Sequence, residues 1–191
     1  GAGKSSLVKL LSGDLHQSAG RVSRFGLAEP CSLWDLRARM GVVCWDAQAE
    51  YPGDTTLRQV LVSGFFGSFG LYGEPTPAQL ATAAAWLERL GLAELADRPM
   101  ATLSQGQARK AMLGRALAFD PPVLLLDEPL GGLDPQARAA MLELLDGLIL
   151  AGKQLVMVTH NPEESPAGIT HAMILENGAV AEQGPVERVL G

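Results

Sequence analysis

The chain has 191 residues, 47% of them apolar and 19% charged, which is typical of a folded globular protein rather than a disordered one. Its net charge of −6 and the lack of a Lys/Arg block argue against nucleic acid as a partner. Two cysteines without a CxxC pair argue against a disulfide framework or zinc site and fit a reducing compartment, and no apolar run reaches the roughly 18 residues that span a bilayer.

The chain opens with GAGKSS, the second half of the phosphate-loop pattern G-x-x-x-x-G-K-[ST]. Backbone N–H groups of such a loop curl around phosphates, and the following helix points its positive end at them. Lys4 would reach the β- and γ-phosphates of a nucleotide, and Ser5 would ligate Mg²⁺. A plain glycine-rich turn is the alternative. The candidate nucleotide contacts in this loop are Gly1, Ala2, Gly3, Lys4, Ser5 and Ser6.

The first third of the chain predicts one helix and two short strands. The helix runs from Ser5 to Leu11 and is stopped by Gly13. The strands cover Gly20 to Phe25 and Gly41 to Trp45.

The middle of the chain, from about Thr55 to Phe119, predicts helices almost throughout. Ser104 is a plausible N-cap for the last of them. The helix within PAQLATAAAWLERLGL places four apolar residues on one face: Leu80, Ala84, Leu87 and Leu90.

The remainder alternates strands and helices again. PVLLLDEP and QLVMVTH predict buried parallel strands on either side of a helix from Pro135 to Leu150. The pair Asn177 and Gly178 predicts the turn of a closing hairpin. We therefore expect one α/β domain with a mainly parallel sheet, in which 1–54 and 120–191 form the core and 55–119 an inserted helical subdomain.

Two carboxylates follow the VLLL strand. A buried strand that ends at Asp127 would deliver this carboxylate to Mg²⁺ beside the phosphate loop. Glu128 could accept a proton from an attacking water molecule. The alternative is that both residues simply end a strand.

Three further segments resemble the motifs of ATP-binding cassette (ABC) ATPases, in the family's order and at similar spacing. LSQGQ (Leu103 to Gln107) resembles the signature motif, GGLD (Gly131 to Asp134) the D-loop, and VTH the strand that ends at the switch histidine, here His160. The likeness covers nearly the whole chain. It implies a P-loop NTPase fold that lacks its first strands and the start of the phosphate loop, with ATP and Mg²⁺ as cofactors.

The resemblance also implies the roles of several residues. Two cassettes would pack head to tail, with each ATP between the phosphate loop of one and the LSQGQ segment of the other. Glu128 would be the catalytic base and His160 would contact the γ-phosphate. The residues that would contact nucleotide or the dimer seam from the partner cassette are Ser104, Gly106, Gln107 and Asp134.

The chain departs from the family pattern at two places. Gln105 stands where glycine is usual, although Ser104 and Gly106 are retained. Trp45 stands where the glutamine of the lobe switch is expected, which leaves Gln48 as the candidate for that role or as an ordinary loop residue.

The resemblance implies an ATPase subunit of a transporter, bound to a membrane permease on the cytoplasmic face of the membrane. A soluble ABC ATPase in repair or regulation is the alternative, and a different P-loop enzyme such as a small-molecule kinase would have no use for LSQGQ. Several segments are similar to cassettes named as molybdenum-transport or photorepair ATPases. An aromatic stretch would be either the core of the helical subdomain or a permease-docking groove: Phe65, Phe66, Phe69, Leu71 and Tyr72.

Overall fold

The computed structural model describes residues 3–26, 32–43, 45, 50–71 and 73–191. The helices are α1 (Lys4–Ser12), α2 (Leu33–Arg37), α3 (Leu57–Ser63), α4 (Pro77–Arg89), α5 (Gln105–Leu117), α6 (Pro135–Leu150) and α7 (Val186–Val189). The strands are β1 (Met40–Val43), β2 (Val123–Asp127), β3 (Gln154–Val158), β4 (His171–Glu176) and β5 (Ala179–Pro185). Across these ranges, no helix combines the length and the apolar character needed to cross a membrane.

The strands β1, β2 and β3 form a parallel sheet in that order. Its middle strand carries the apolar run VLLL, and Leu124, Leu125 and Leu126 are almost completely buried. Burying one such side chain stabilises a fold by about 1.5–3 kcal/mol. Because parallel neighbours need long crossover connections, helices separate these strands in the chain. The α/β class with a parallel sheet is confirmed.

Two strand predictions need correction. The segment 20–25 forms no strand; instead Arg24 donates from Nε to the carbonyl oxygen of Leu11 at 3.0 Å, which ties the segment to the end of α1. The strand β3 forms as predicted but is not buried, since Val156 is 39% exposed. Among the described strands β3 pairs only with β2, so one of its edges lacks a covering strand.

Between β1 and β2, every described element beyond residue 56 is an α-helix or a 3₁₀-helix, and turns or irregular segments join them. Each of α3, α4 and α5 begins with a capping box, built on Thr56, Thr76 and Ser104 respectively. Two of the four predicted positions on the buried face of the α4 region are wrong. Leu80 and Ala84 are not buried, whereas Ala83 is buried together with Leu87 and Leu90.

The last elements follow their local signals closely. The helix α6 spans the predicted residues, and its N-cap is Asp134 with Pro135 in the first turn. The strands β4 and β5 pair antiparallel, and the turn between them has φ of 51° at Asn177 and 80° at Gly178. Two consecutive positive φ values are typical of a type I′ turn, which the Asn-Gly pair predicts.

Candidate functional site

The phosphate-loop segment is described from Gly3 onward, so the predicted contacts of Gly1 and Ala2 lie outside the described residues. Gly3 has φ of 88° and precedes α1, and no side chain caps this helix end. A left-handed backbone at this point favours glycine over other residues. Ser5 and Ser6 are exposed in the first turn. The free N–H groups of this nine-residue helix can therefore bind an anion.

Two carboxylates lie at the carboxyl end of β2, as the sequence predicts. Asp127 is the last residue of the strand, and its Oδ1 is buried without a hydrogen-bond partner. Glu128 adopts a φ of 53°, and its backbone N–H donates to the carbonyl oxygen of Val158 at 2.9 Å. A left-handed conformation costs a non-glycine residue roughly 1–2 kcal/mol. The surrounding structure therefore imposes the direction in which Glu128 leaves the strand.

His160 links the phosphate-loop helix to Glu128. Lys4 Nζ lies 3.1 Å from His160 Nδ1, and His160 Nε2 lies 3.2 Å from Glu128 Oε1. Because the ammonium group can only donate, Nδ1 accepts and the ring proton is on Nε2, facing Glu128. Glu128 Oε1 is close to this nitrogen but is not aligned for a hydrogen bond. The fold thus brings together Lys4, Glu128 and His160, which lie far apart in the sequence.

Arg109 on α5 contacts the same region and was not singled out from the sequence. Its Nη1 donates to the carbonyl oxygen of Glu128 at 2.8 Å, and its Nη2 donates to the carbonyl oxygen of Gly131. Its guanidinium carbon lies 4.4 Å from the ring centroid of Trp45. Burial lowers the pKa of Arg109, and the negative charge of Glu128 partly offsets this. No local pattern marks this residue, since each of its partners is distant in sequence.

The LSQGQ segment forms a self-sufficient helix start. Ser104 Oγ accepts from the backbone N–H of Gln107 at 3.3 Å, and Gln107 Oε1 accepts from the N–H of Ser104 at 2.9 Å. A Cβ on Gly106 would come within 2.9 Å of the Cβ of Ala137, so glycine permits close packing of α5 on α6. Gln105, the departure from the family pattern, packs against Gly132.

The two groups of predicted ATP contacts lie on different elements. The helix α1 packs on β2 and β3, whereas α5 packs on α3, α4, β1 and α6. Asp134 is occupied as the N-cap of α6, where it accepts from the N–H of Ala137 at 2.9 Å. No hydrogen bond between described residues joins Lys4 to the LSQGQ segment.

The described residues contain no group of three or more His, Cys, Asp or Glu side chains that could hold a metal ion by themselves. Mg²⁺ commonly takes only one or two carboxylates, with phosphates and waters completing its shell. The unpaired Oδ1 of Asp127 fits such a site. Gln48 lies outside the described residues, while Trp45 is described and contacts Arg109.

A parallel sheet with a glycine-entered helix, a lysine and two carboxylates at one edge defines a P-loop NTPase fold. A family model described as ABC transporter matches residues 1–131. The chain belongs to the ABC transporter family, as one of its ATP-binding cassettes, and the resemblance seen in its motifs is confirmed.

Relatives of known name support this assignment. The ABC transporter ATP-binding protein ModF of Escherichia coli is 39% identical over 178 residues, which are 91% of this chain and 36% of that protein. An uncharacterized ABC transporter ATP-binding protein of Bacillus subtilis, YlmA, is 35% identical over 199 residues, covering 100% of this chain and 74% of that protein. The chain thus spans about a third of the first relative and three quarters of the second.

The fold also matches solved cassettes. The structure of cbiO1 from Clostridium perfringens, described as part of the ABC transporter complex cbiONQ, superposes with a TM-score of 0.82 at 26% identity. The match covers 98% of this chain and 74% of that one. An ABC cassette fold is therefore established for the described residues.

Proposed function

We propose that the protein binds ATP with Mg²⁺ and hydrolyses it as the ATP-binding subunit of an ABC transporter. The observation that carries the proposal is the convergence of Lys4, His160 and Glu128 at one sheet edge, beside the unpaired Oδ1 of Asp127. Such an edge supplies a cation for phosphate, a carboxylate for Mg²⁺ and a carboxylate for water.

Each group at this edge has a distinct task. Lys4 donates to the β- and γ-phosphate oxygens, together with the backbone N–H groups of residues 1–6. Ser5 and Asp127 would hold Mg²⁺, which when bound neutralises charge on the phosphates. Glu128 orients the attacking water and takes its proton as the bond to the β-phosphate oxygen breaks, and His160 donates to the γ-phosphate.

A second cassette completes the site in this proposal, whether it is another copy or a tandem partner. The helix α5 would point its N-terminal end at the γ-phosphate held by the other cassette, with contacts from Ser104, Gly106 and Gln107. Asp134 would lie at the seam. The exposed and internally satisfied start of α5 supports this arrangement, because it needs no further partner within its own chain.

We further propose the division into a core of 1–54 and 120–191 and a helical subdomain of 55–119. In the aromatic stretch, Phe66 packs against the core while Phe69 and Leu71 are 39% and 37% exposed. These two side chains would contribute to a docking surface for a membrane permease, which would place the protein on the cytoplasmic face of the membrane. Co-purification of the intact protein with a permease separates this function from that of a soluble ABC ATPase.

The test measures ATP binding and phosphate release by the intact protein and compares two lysine variants. Lys4→Ala removes a charge-assisted contact and should weaken ATP binding by about 10-fold to 100-fold. Lys9→Ala removes an exposed lysine from the same helix and should leave both binding and hydrolysis unchanged. Chelation of Mg²⁺ should stop phosphate release. An unchanged ATP titration for Lys4→Ala contradicts the proposed site.

A further inference from the structure

Among the described residues, one side chain from a different part of the fold donates hydrogen bonds to the loop that carries Glu128. Arg109 donates one guanidinium hydrogen bond to the Glu128 carbonyl oxygen, at 2.8 Å, and another to the Gly131 carbonyl oxygen. A guanidinium is a planar fork, so two bonds to two carbonyls fix the path of the loop between them. The loop is also closed by the Gly131 N–H, which donates to the Glu128 carbonyl oxygen at 3.3 Å.

The backbone of Glu128 needs such support. Its φ of 53° is unfavourable for a residue with a side chain, so this conformation persists only where neighbouring groups impose it. Val158 accepts from its N–H on one side, and Arg109 donates to its C=O on the other. Because the carbonyl groups take both guanidinium bonds, Arg109 leaves the Glu128 carboxylate unbonded, and Glu128 Oε1 lies 3.2 Å from His160 Nε2 without an aligned hydrogen bond.

Trp45 holds the guanidinium in turn. The Arg109 guanidinium carbon lies 4.4 Å from the indole centroid, which is close enough for a cation–π contact. Trp45 is partly buried and also packs against the main hydrophobic core. The contact is the more favourable because burial partly desolvates Arg109, as the lowered pKa of this residue reflects.

We propose that Arg109, stacked on Trp45, is a positioning residue that aims the Glu128 carboxylate for catalysis and connects the LSQGQ helix to the hydrolytic edge of the same cassette. This inference rests on the proposed function, in which Glu128 activates water. Arg109 does not contact the reacting atoms. Its effect passes through the backbone of 128–131, so it should affect the rate of hydrolysis and not the binding of ATP.

The experiment measures kcat, KM and ATP affinity for variants of the intact protein. Arg109→Gln should lower kcat by about 30-fold to 100-fold, because the Glu128 carboxylate would no longer be held in position for catalysis. The affinity for ATP should stay within about twofold of wild type. Arg109→Lys keeps the charge but cannot bond both carbonyls in the same way, so it should recover only part of kcat. Trp45→Phe should retain most of the activity, and Trp45→Leu should lose several-fold in kcat, about as much as one cation–π contact contributes.

A matched control lies in the helical part of the chain. Arg89 stacks on Trp86 at 5.1 Å, away from the hydrolytic edge, so Arg89→Gln removes a similar contact and should leave kcat unchanged. An unchanged kcat in Arg109→Gln overturns the proposal. So does a parallel loss of kcat, ATP affinity and thermal stability, because that pattern indicates general destabilisation.

Glu128→Gln separates the two proposals. If it hydrolyses ATP at the wild-type rate, Glu128 is not the base, and the proposed function fails with the inference that depends on it. If it is inactive while Arg109→Gln is fully active, only the positioning role fails.

Discussion

The carboxyl edge of the sheet and the start of α5 carry the two groups of predicted ATP contacts, and they differ in how their polar atoms are satisfied. At the sheet edge, Asp127 Oδ1 and Glu128 Oε1 are buried without hydrogen-bond partners. At the start of α5, the Ser104 and Gln107 side chains satisfy each other's backbone N–H groups. Burying the unsatisfied carboxylate oxygens at the sheet edge costs free energy when no ligand is bound. The start of α5 is stable without a ligand, because its capping box satisfies the backbone N–H groups of Ser104 and Gln107.

This difference explains how the two regions would divide the work. Carboxylate oxygens without hydrogen bonds suit Mg²⁺, and the neighbouring lysine and histidine suit phosphate, so the sheet edge is arranged for chemistry. The capped start of α5 is exposed at Ser104 and Gln105 and needs no rearrangement of its own chain, so we expect it to bind a second cassette. Changes at the sheet edge should therefore affect hydrolysis, and changes at the start of α5 should affect assembly.

The largest expected effect comes from Glu128→Gln. Loss of the general base should lower kcat by about 10²-fold to 10⁴-fold while ATP still binds, so an ATP-bound dimer should accumulate. Phosphate release and size-exclusion chromatography with ATP measure the two effects. Turnover near the wild-type rate would remove Glu128 from the mechanism.

A smaller effect is expected from Ser104→Ala. It should weaken ATP-dependent dimerisation by about 10-fold, because one hydrogen bond to a charged group is lost. The affinity of the single cassette for ATP should not change. It should also cost about 1 kcal/mol of stability through the lost cap.

Thr76→Ala is the matched control, since its capping box has the same donor–acceptor distances as that of Ser104. It should lose similar stability and dimerise normally. Equal dimerisation of the two variants would mean that Ser104 is only a cap. Analytical ultracentrifugation with and without ATP gives the comparison.

The smallest effect is on stability and tests a region remote from both groups. Tyr51 Oη lies 2.7 Å from Ser63 Oγ in a buried position, so Tyr51→Phe should lower the free energy of unfolding by about 1 kcal/mol at neutral pH. Arg115 donates to the same Ser63 oxygen at 3.3 Å and stacks on Phe69. Hydrolysis should be unchanged.

The pH dependence of the Tyr51 variant has a definite sign. Burial raises the pKa of Tyr51, with Arg115 and Ser63 opposing the shift. The folded state thus favours the protonated phenol, and this stabilisation is complete below the ordinary value of about 10 and lost as pH rises through the higher folded value. Wild type should lose more stability than Tyr51→Phe in denaturant titrations above about pH 10. Equal slopes would contradict this.

Local signals predicted much of the fold. The limits of α6, the cap at Ser104 and the turn at Asn177 and Gly178 depend on neighbouring residues in the chain, and the structure has each of them as predicted. The prediction that β3 is buried was wrong, since Val156 is exposed. An apolar run does not reveal how many neighbouring strands will cover it.

The candidate site was also predictable in part from the sequence. Lys4, Asp127, Glu128 and His160 stood out through motif and position, although their roles stay predictions. The contacts of Arg109 with Trp45 and with the Glu128 carbonyl group join residues far apart in sequence. Every residue has a backbone carbonyl group, so no pattern of side chains could have indicated which one accepts from Arg109.

The most direct measurement is a structure of the intact Glu128→Gln protein with ATP and Mg²⁺. We expect the γ-phosphate of ATP bound at Lys4 of one cassette to lie within hydrogen-bond distance, about 3 Å, of Ser104 Oγ from a second cassette. A structure in which ATP is held wholly by one cassette, with Ser104 turned away from every bound triphosphate, would contradict the account.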